Sequence, residues 1–131
     1  MVPTIVPVYA ALLAVGYFLL ALRVIRARYR AGVAIGTGGD PRLERAVRVH
    51  GNFAEYVPLA LILLAFVEAS GRPAWLVHLL ALALVAGRLV HAVTVSRENE
   101  NPRLRLVGMF FTFSVLLASA AVLLTGALFP G

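Results

Sequence analysis

All twelve basic residues of this 131-residue chain are arginine, and eleven of them fall within two stretches, residues 23–48 and 88–105. The twelfth, Arg72, stands alone. Residues 5–22 and 57–67, and everything after Arg105, carry no charge at all. Long uncharged apolar runs flanked by clustered arginine are the signature of a multi-pass membrane protein, because basic residues collect in the cytoplasmic loops. The count is eleven arginines inside and one outside. It predicts four spans with both termini on the outer side.

The rest of the composition agrees. Hydrophobic residues make up 61% of the chain, more than a soluble domain of this length requires. The chain is long enough for one domain. Its pI near 11.1 does not indicate nucleic acid. The arginines flank apolar spans and do not form a basic patch interleaved with aromatics. No cysteine is present, so any thiol chemistry must use a thiol carried by a ligand. No positive charge precedes the first apolar run, which is therefore expected to be a retained helix and not a cleaved signal.

A spanning helix needs about 20 mainly apolar residues. The pattern predicts helices over about 5–29, 41–69, 73–95 and 102–129, all within one membrane domain. Residues 31–40 include Gly32, Gly36, Gly38 and Gly39 and read as a flexible loop. Ser70-Gly71-Arg72-Pro73 reads as a tight outer turn, and residues 96–101 as a polar inner loop.

The second span is unusual in its inner half. Arg45, Arg48, Asn52 and Glu55 follow one another at intervals of three, four and three, and Leu59 and Ile62 continue the progression. Residues so spaced share one helix face, so the helix carries a stripe that is polar inside and apolar outside, with Tyr56 beside it. Arg88 and His91 make a shorter version on the third helix. Ionisable groups at a helix centre cost roughly 2.5–3.5 kcal/mol on insertion scales, so these groups should face other helices or a water-filled cavity. Two readings follow. One is an internal ion pair of Glu55 with Arg48 or Arg88 that specifies packing. The other is an arginine-rich pocket for a ligand with more negative than positive charge, since the planar guanidinium grips carboxylates bidentately.

The run Asp40-Pro-Arg-Leu-Glu-Arg-Ala-Val-Arg-Val-His-Gly-Asn-Phe-Ala-Glu-Tyr-Val-Pro58 resembles the signature of the MAPEG family, the membrane-associated proteins in eicosanoid and glutathione metabolism. Its core is Glu44-Arg45, Arg48, then Asn52-x-x-Glu55-Tyr56-x-Pro58. The likeness extends through Gly87-Arg88 to His91 and through Arg103-Leu-Arg105; the short loops look like those of the bacterial members, and the chain resembles the microsomal glutathione transferases. It implies an all-α four-helix membrane bundle assembled as a homotrimer, with glutathione between neighbouring subunits near the cytoplasmic face of the inner membrane. On that matching Arg48, His50, Asn52, Glu55 and Tyr56 would hold glutathione, with Arg88 and His91 from the third helix and Arg28 reaching over from an adjacent subunit. Arg105 falls where the family arginine stabilises the thiolate and is the expected catalytic residue.

Glutathione's two carboxylates suit the arginines, and its ammonium suits Glu55. The thiolate is the nucleophile, and a nearby guanidinium favours it. Two departures stand out. Eicosanoid-synthesising members carry tyrosines at the positions matching His91 and Val95; here one is histidine and the other cannot donate a hydrogen bond. The expected activity is therefore glutathione-dependent transfer or peroxide reduction on apolar electrophiles or lipid hydroperoxides, with a non-catalytic lipid- or glutathione-binding scaffold as the alternative. His78 reads as structural or at the lipid interface, Glu68 as solvated near Arg72, and Glu98 and Glu100 as loop residues. The three histidines lack metal-ligand spacing, so no metal is expected. Gly108, Ser114, Ala118 and Ala121 offer small residues for close helix contact.

Overall fold

A computed structural model describes residues 1–129 of the chain. It contains four helices and, among the described residues, no strand: α1 Val6–Ala31, α2 Pro41–Ala69, α3 Ala74–Val95 and α4 Pro102–Leu128. Each is long and apolar enough to cross a membrane. The shortest, with 22 residues, rises about 33 Å, against a hydrocarbon core of about 30 Å.

Local chemistry sets the boundaries. α1 ends at Gly32, whose φ of 66° lies in the left-handed region that glycine enters without strain. α2 starts where the Asp40 carboxylate accepts from the Leu43 N–H at 2.8 Å, with Pro41 in the first turn. α4 starts the same way, with the Asn101 side chain accepting from the Arg103 N–H at 3.0 Å and Pro102 behind it.

The core is aliphatic apart from Phe53. Ala60, Leu64 and Val67 of α2 meet Val77, Ala81 and Leu84 of α3, with Leu13 of α1 and Val115 of α4 closing the sides. α3 and α4 approach closely where two glycines face each other. A Cβ on Gly87 would lie 2.9 Å from the Gly108 carbonyl oxygen, and one on Gly108 would lie 2.9 Å from the Gly87 oxygen. Only a pair without side chains allows backbones to touch there. That contact brings the inward face of α3, with Arg88 and His91, against Met109 and Thr112 of α4.

The two ends of the bundle differ. At one end the α1–α2 and α3–α4 connections meet, and arginines tie them together. Arg42 pairs with Glu98 at 2.9 Å. Arg45 donates to the Val95 and Glu98 carbonyls, and Arg23 donates to the Ser96 hydroxyl and carbonyl. At the opposite end Glu68 is 6% exposed. It accepts from the N–H groups of Thr4, Ile5 and Val6 at 2.6, 2.7 and 2.8 Å. This corrects the expectation of a solvated Glu68. The first turn of α1 has no side-chain cap of its own, and its unpaired donors and positive dipole end draw in a carboxylate from the last turn of α2. Arg72, nearby in sequence, donates to the Val122 carbonyl at 3.5 Å. His78 meets the Tyr9 hydroxyl through Nδ1 at 2.9 Å.

Candidate functional site

The site lies at the arginine-rich end and has two layers. The deeper is built around Arg88, which is 2% exposed although it carries a full charge. Its Nη2 donates to Asn52 Oδ1 at 2.7 Å and faces His91 Nδ1 at 3.2 Å. Nη1 donates to Thr112 Oγ1 at 3.3 Å, and the guanidinium lies 5.8 Å from the centroid of the Phe53 ring. With Arg88 donating to Nδ1, the hydrogen of the neutral imidazole sits on Nε2. Among the described residues no carboxylate pairs with Arg88, and its Nε has no hydrogen-bond partner. The ion pair of Glu55 with Arg88 or Arg48, one of the two readings of the stripe, is not formed.

The shallower layer is a cleft of about 580 Å³ between α2, the α3–α4 connection and the start of α4. Glu44, Arg45, Arg48, Glu55, Glu100 and Arg105 line it. Its size falls in the range of roughly 300–1,000 Å³ usual for small-molecule sites. The stripe on α2 thus divides by depth: Arg45, Arg48 and Glu55 reach the cleft, while Asn52, on the bundle side, anchors Arg88. Arg105 is half exposed and pairs with Glu100 Oε1 at 3.2 Å. Glu100 Oε2 lies 3.6 Å from Arg45. Val95 contributes apolar wall to the same cleft.

Tyr56 stands against α4, its ring edge-to-face with Phe113 at 5.4 Å. Two of the expected binding residues lie elsewhere in the same chain. His50 stacks on Tyr17 of α1 at 4.6 Å. Arg28 donates to the Ala34 and Gly36 carbonyls of its own loop at 3.3 and 2.8 Å. Glu55 is exposed in the middle of α2, and Leu59, Ile62 and Phe66 continue its face, each more than half exposed. A carboxylate bared at that depth is costly, so this face calls for cover.

Two residues escaped the sequence reading. Thr112 is fully buried; it gives its own hydrogen to the Gly108 carbonyl at 3.0 Å and offers Arg88 its oxygen. A threonine in an apolar helix four residues after a glycine carries no signal of that role. Glu100 read only as a residue of the inner loop. Its signal was its fixed place just before the Asn101-Pro102 helix start, five residues from Arg105. No group of three or more potential metal-ligating side chains occurs among the described residues.

Comparison with known proteins matches residues 6–125 to the MAPEG family. The inner membrane protein YecN of Escherichia coli K12 and its namesake in Escherichia coli O6:H1 are each 42% identical to this chain over 109 residues. The alignment covers 83% of this chain and 82% of each relative.

Proposed function

The chain belongs to the MAPEG family, and from that premise we propose that it is a membrane-bound glutathione-dependent transferase or peroxidase, acting on apolar electrophiles or lipid hydroperoxides at the cytoplasmic face of the inner membrane. The observation that carries this reading is the convergence of Arg45, Arg48 and Arg105 with Glu55 around one cleft. Glutathione offers complementary groups: two carboxylates for guanidinium forks and an ammonium for Glu55. Arg105 favours the thiolate over the thiol, and each unit of pKa lowering takes about 1.4 kcal/mol of preferential interaction. In conjugation the thiolate sulfur attacks an electrophilic carbon, a carbon–sulfur bond forms, and the leaving group departs with its electron pair.

Arg88, Asn52 and His91 act beneath the cleft, and Asn52 is fixed by its bond to Arg88. The second substrate arrives through the bilayer, which the apolar flanks of the helices make accessible. Val95 gives that substrate an apolar wall and no hydroxyl donor, which favours conjugation or peroxide reduction over eicosanoid synthesis. A homotrimer completes the site in this reading. It covers the Glu55–Phe66 face of α2 and brings Arg28 and His50 of one subunit toward the cleft of the next.

A second reading is a scaffold that binds lipid or glutathione without turnover. The ion pair between Glu100 and Arg105 favours it, since the expected catalytic guanidinium already holds a carboxylate.

Ultraviolet difference absorption at the thiolate band, on adding glutathione to the purified protein at neutral pH, tests the proposal. A saturable thiolate signal followed by its discharge with an electrophile supports the enzyme. Binding by calorimetry without a thiolate signal supports the scaffold, and silence in both sinks the glutathione reading.

A further inference from the structure

On the other side of Arg45 lies a second cleft, of about 510 Å³, between the last turns of α1, the start of α2 and the end of α3. Arg23, Arg26, Arg30, Arg42 and Arg45 line it, against a single carboxylate, Glu98. That carboxylate is taken by Arg42 at 2.9 Å. Arg23 meets only the neutral hydroxyl and carbonyl of Ser96. Among the described residues neither Arg26 nor Arg30 has an acidic partner. Like charges gathered around one hollow repel one another, and nothing in the described chain offsets Arg23, Arg26 and Arg30.

The depth of this cleft narrows the choice of anion. Arg23 is the first charge after the uncharged run that ends at Leu22. From Arg23 to Arg30 the helix rises about 10 Å, which spans a headgroup layer of roughly 5–8 Å per leaflet. Leu19 and Ala27 add apolar wall on the α1 side and Ala46 on the α2 side. Arg28 lies between these arginines in sequence but is committed to the carbonyls of its own loop. Orientation in the membrane alone requires basic residues near the span ends but does not require them to surround one cleft.

We propose that this cleft binds the headgroup of an anionic glycerophospholipid, its phosphodiester held by Arg23, Arg26 and Arg30 and its acyl chains lying along Leu19. A zwitterionic headgroup would bring an ammonium into the same arginines. A free phosphate ester shares the anion but has no chains for the apolar wall. The site is independent of the thiol chemistry proposed above.

Native mass spectrometry of the full-length protein in detergent, titrated with phosphatidylglycerol, phosphatidylcholine or glycerol phosphate, tests this. The expected result is saturable phosphatidylglycerol adducts, with little binding of the other two. Arg26→Gln with Arg30→Gln should weaken them at least about tenfold. Arg97→Gln with Arg103→Gln removes as much charge from the same end outside this cleft, and should change binding by less than about twofold. Ala27→Glu, which adds a carboxylate to the cleft without removing an arginine, should also weaken phosphatidylglycerol. Equal binding of phosphatidylcholine, equal saturation by glycerol phosphate, or equal weakening by the two double variants would each overturn the proposal.

Discussion

Glu100 Oε1 lies 3.2 Å from Arg105 Nη1, so the guanidinium expected to stabilise a thiolate is already engaged by a carboxylate of its own chain. The other carboxylate oxygen is enclosed 3.6 Å from Arg45 without a hydrogen bond. Glu100 therefore sits between two arginines much as a ligand carboxylate would, and any anionic ligand of this cleft must displace it or share its partners.

Glu100→Gln should then bind glutathione more tightly than the parent. The Glu100–Arg105 pair is partly exposed, and such pairs are worth about 0.2–1 kcal/mol. The gain expected in calorimetry is accordingly small, up to about fivefold. Glu98→Gln releases only the exposed Arg42 and should leave the affinity alone. Unchanged or weaker binding by Glu100→Gln would mean that Glu100 does not compete for the site.

Arg105→Ala separates activation from assembly. Arg105 is half exposed and its recorded side-chain partner is Glu100, so helix content and thermal stability should stay within about 0.5 kcal/mol of the parent. The thiolate band on adding glutathione should disappear, and conjugation with it. Normal turnover by this variant would remove Arg105 from its proposed role.

Much of this arrangement could be read in the sequence, and the limits have physical causes. Four apolar runs define the helices because hydropathy is local. The stripe from Arg45 to Glu55 could be recognised because helical spacing is regular. How the stripe divides was not legible. Asn52 and Glu55 are three residues apart on one face, yet one is buried on Arg88 and the other is exposed, and that depends on where α3 and α4 pack. Glu68 escaped for the same reason: its partners are N–H groups more than sixty positions away in sequence. Spacing along α2 cannot report the unmet donors of α1.

Asn52 carries more of the stability than its size suggests. It supplies the shortest hydrogen bond to the buried Arg88, and Asn52→Leu would leave that charge with His91, Thr112 and the weak sulfur acceptor Met109. Loss of an acceptor to a buried charged donor costs on the order of 1–3 kcal/mol. Thermal or denaturant unfolding in detergent should show a loss in that range. Asn52→Asp retains the acceptor and adds a counter-charge, so it should be much closer to the parent in stability.

Gly87→Ala tests the α3–α4 contact on which the deeper layer depends. The added methyl would lie 2.8 Å from Phe111 Cβ and 2.9 Å from the Gly108 oxygen, and that oxygen belongs to helix backbone that cannot swing aside. Overpacking of this kind costs about 1–3 kcal/mol. The separation of the helices would also move Thr112 away from Arg88, so ligand binding should weaken along with stability. Gly16→Ala is the control. It lies within α1 with nothing within 4 Å of the new Cβ, and helix propensity alone predicts a stabilisation of up to about 1 kcal/mol. If unfolding measurements ranked the two variants alike, the glycine contact would not be what sets the distance between α3 and α4.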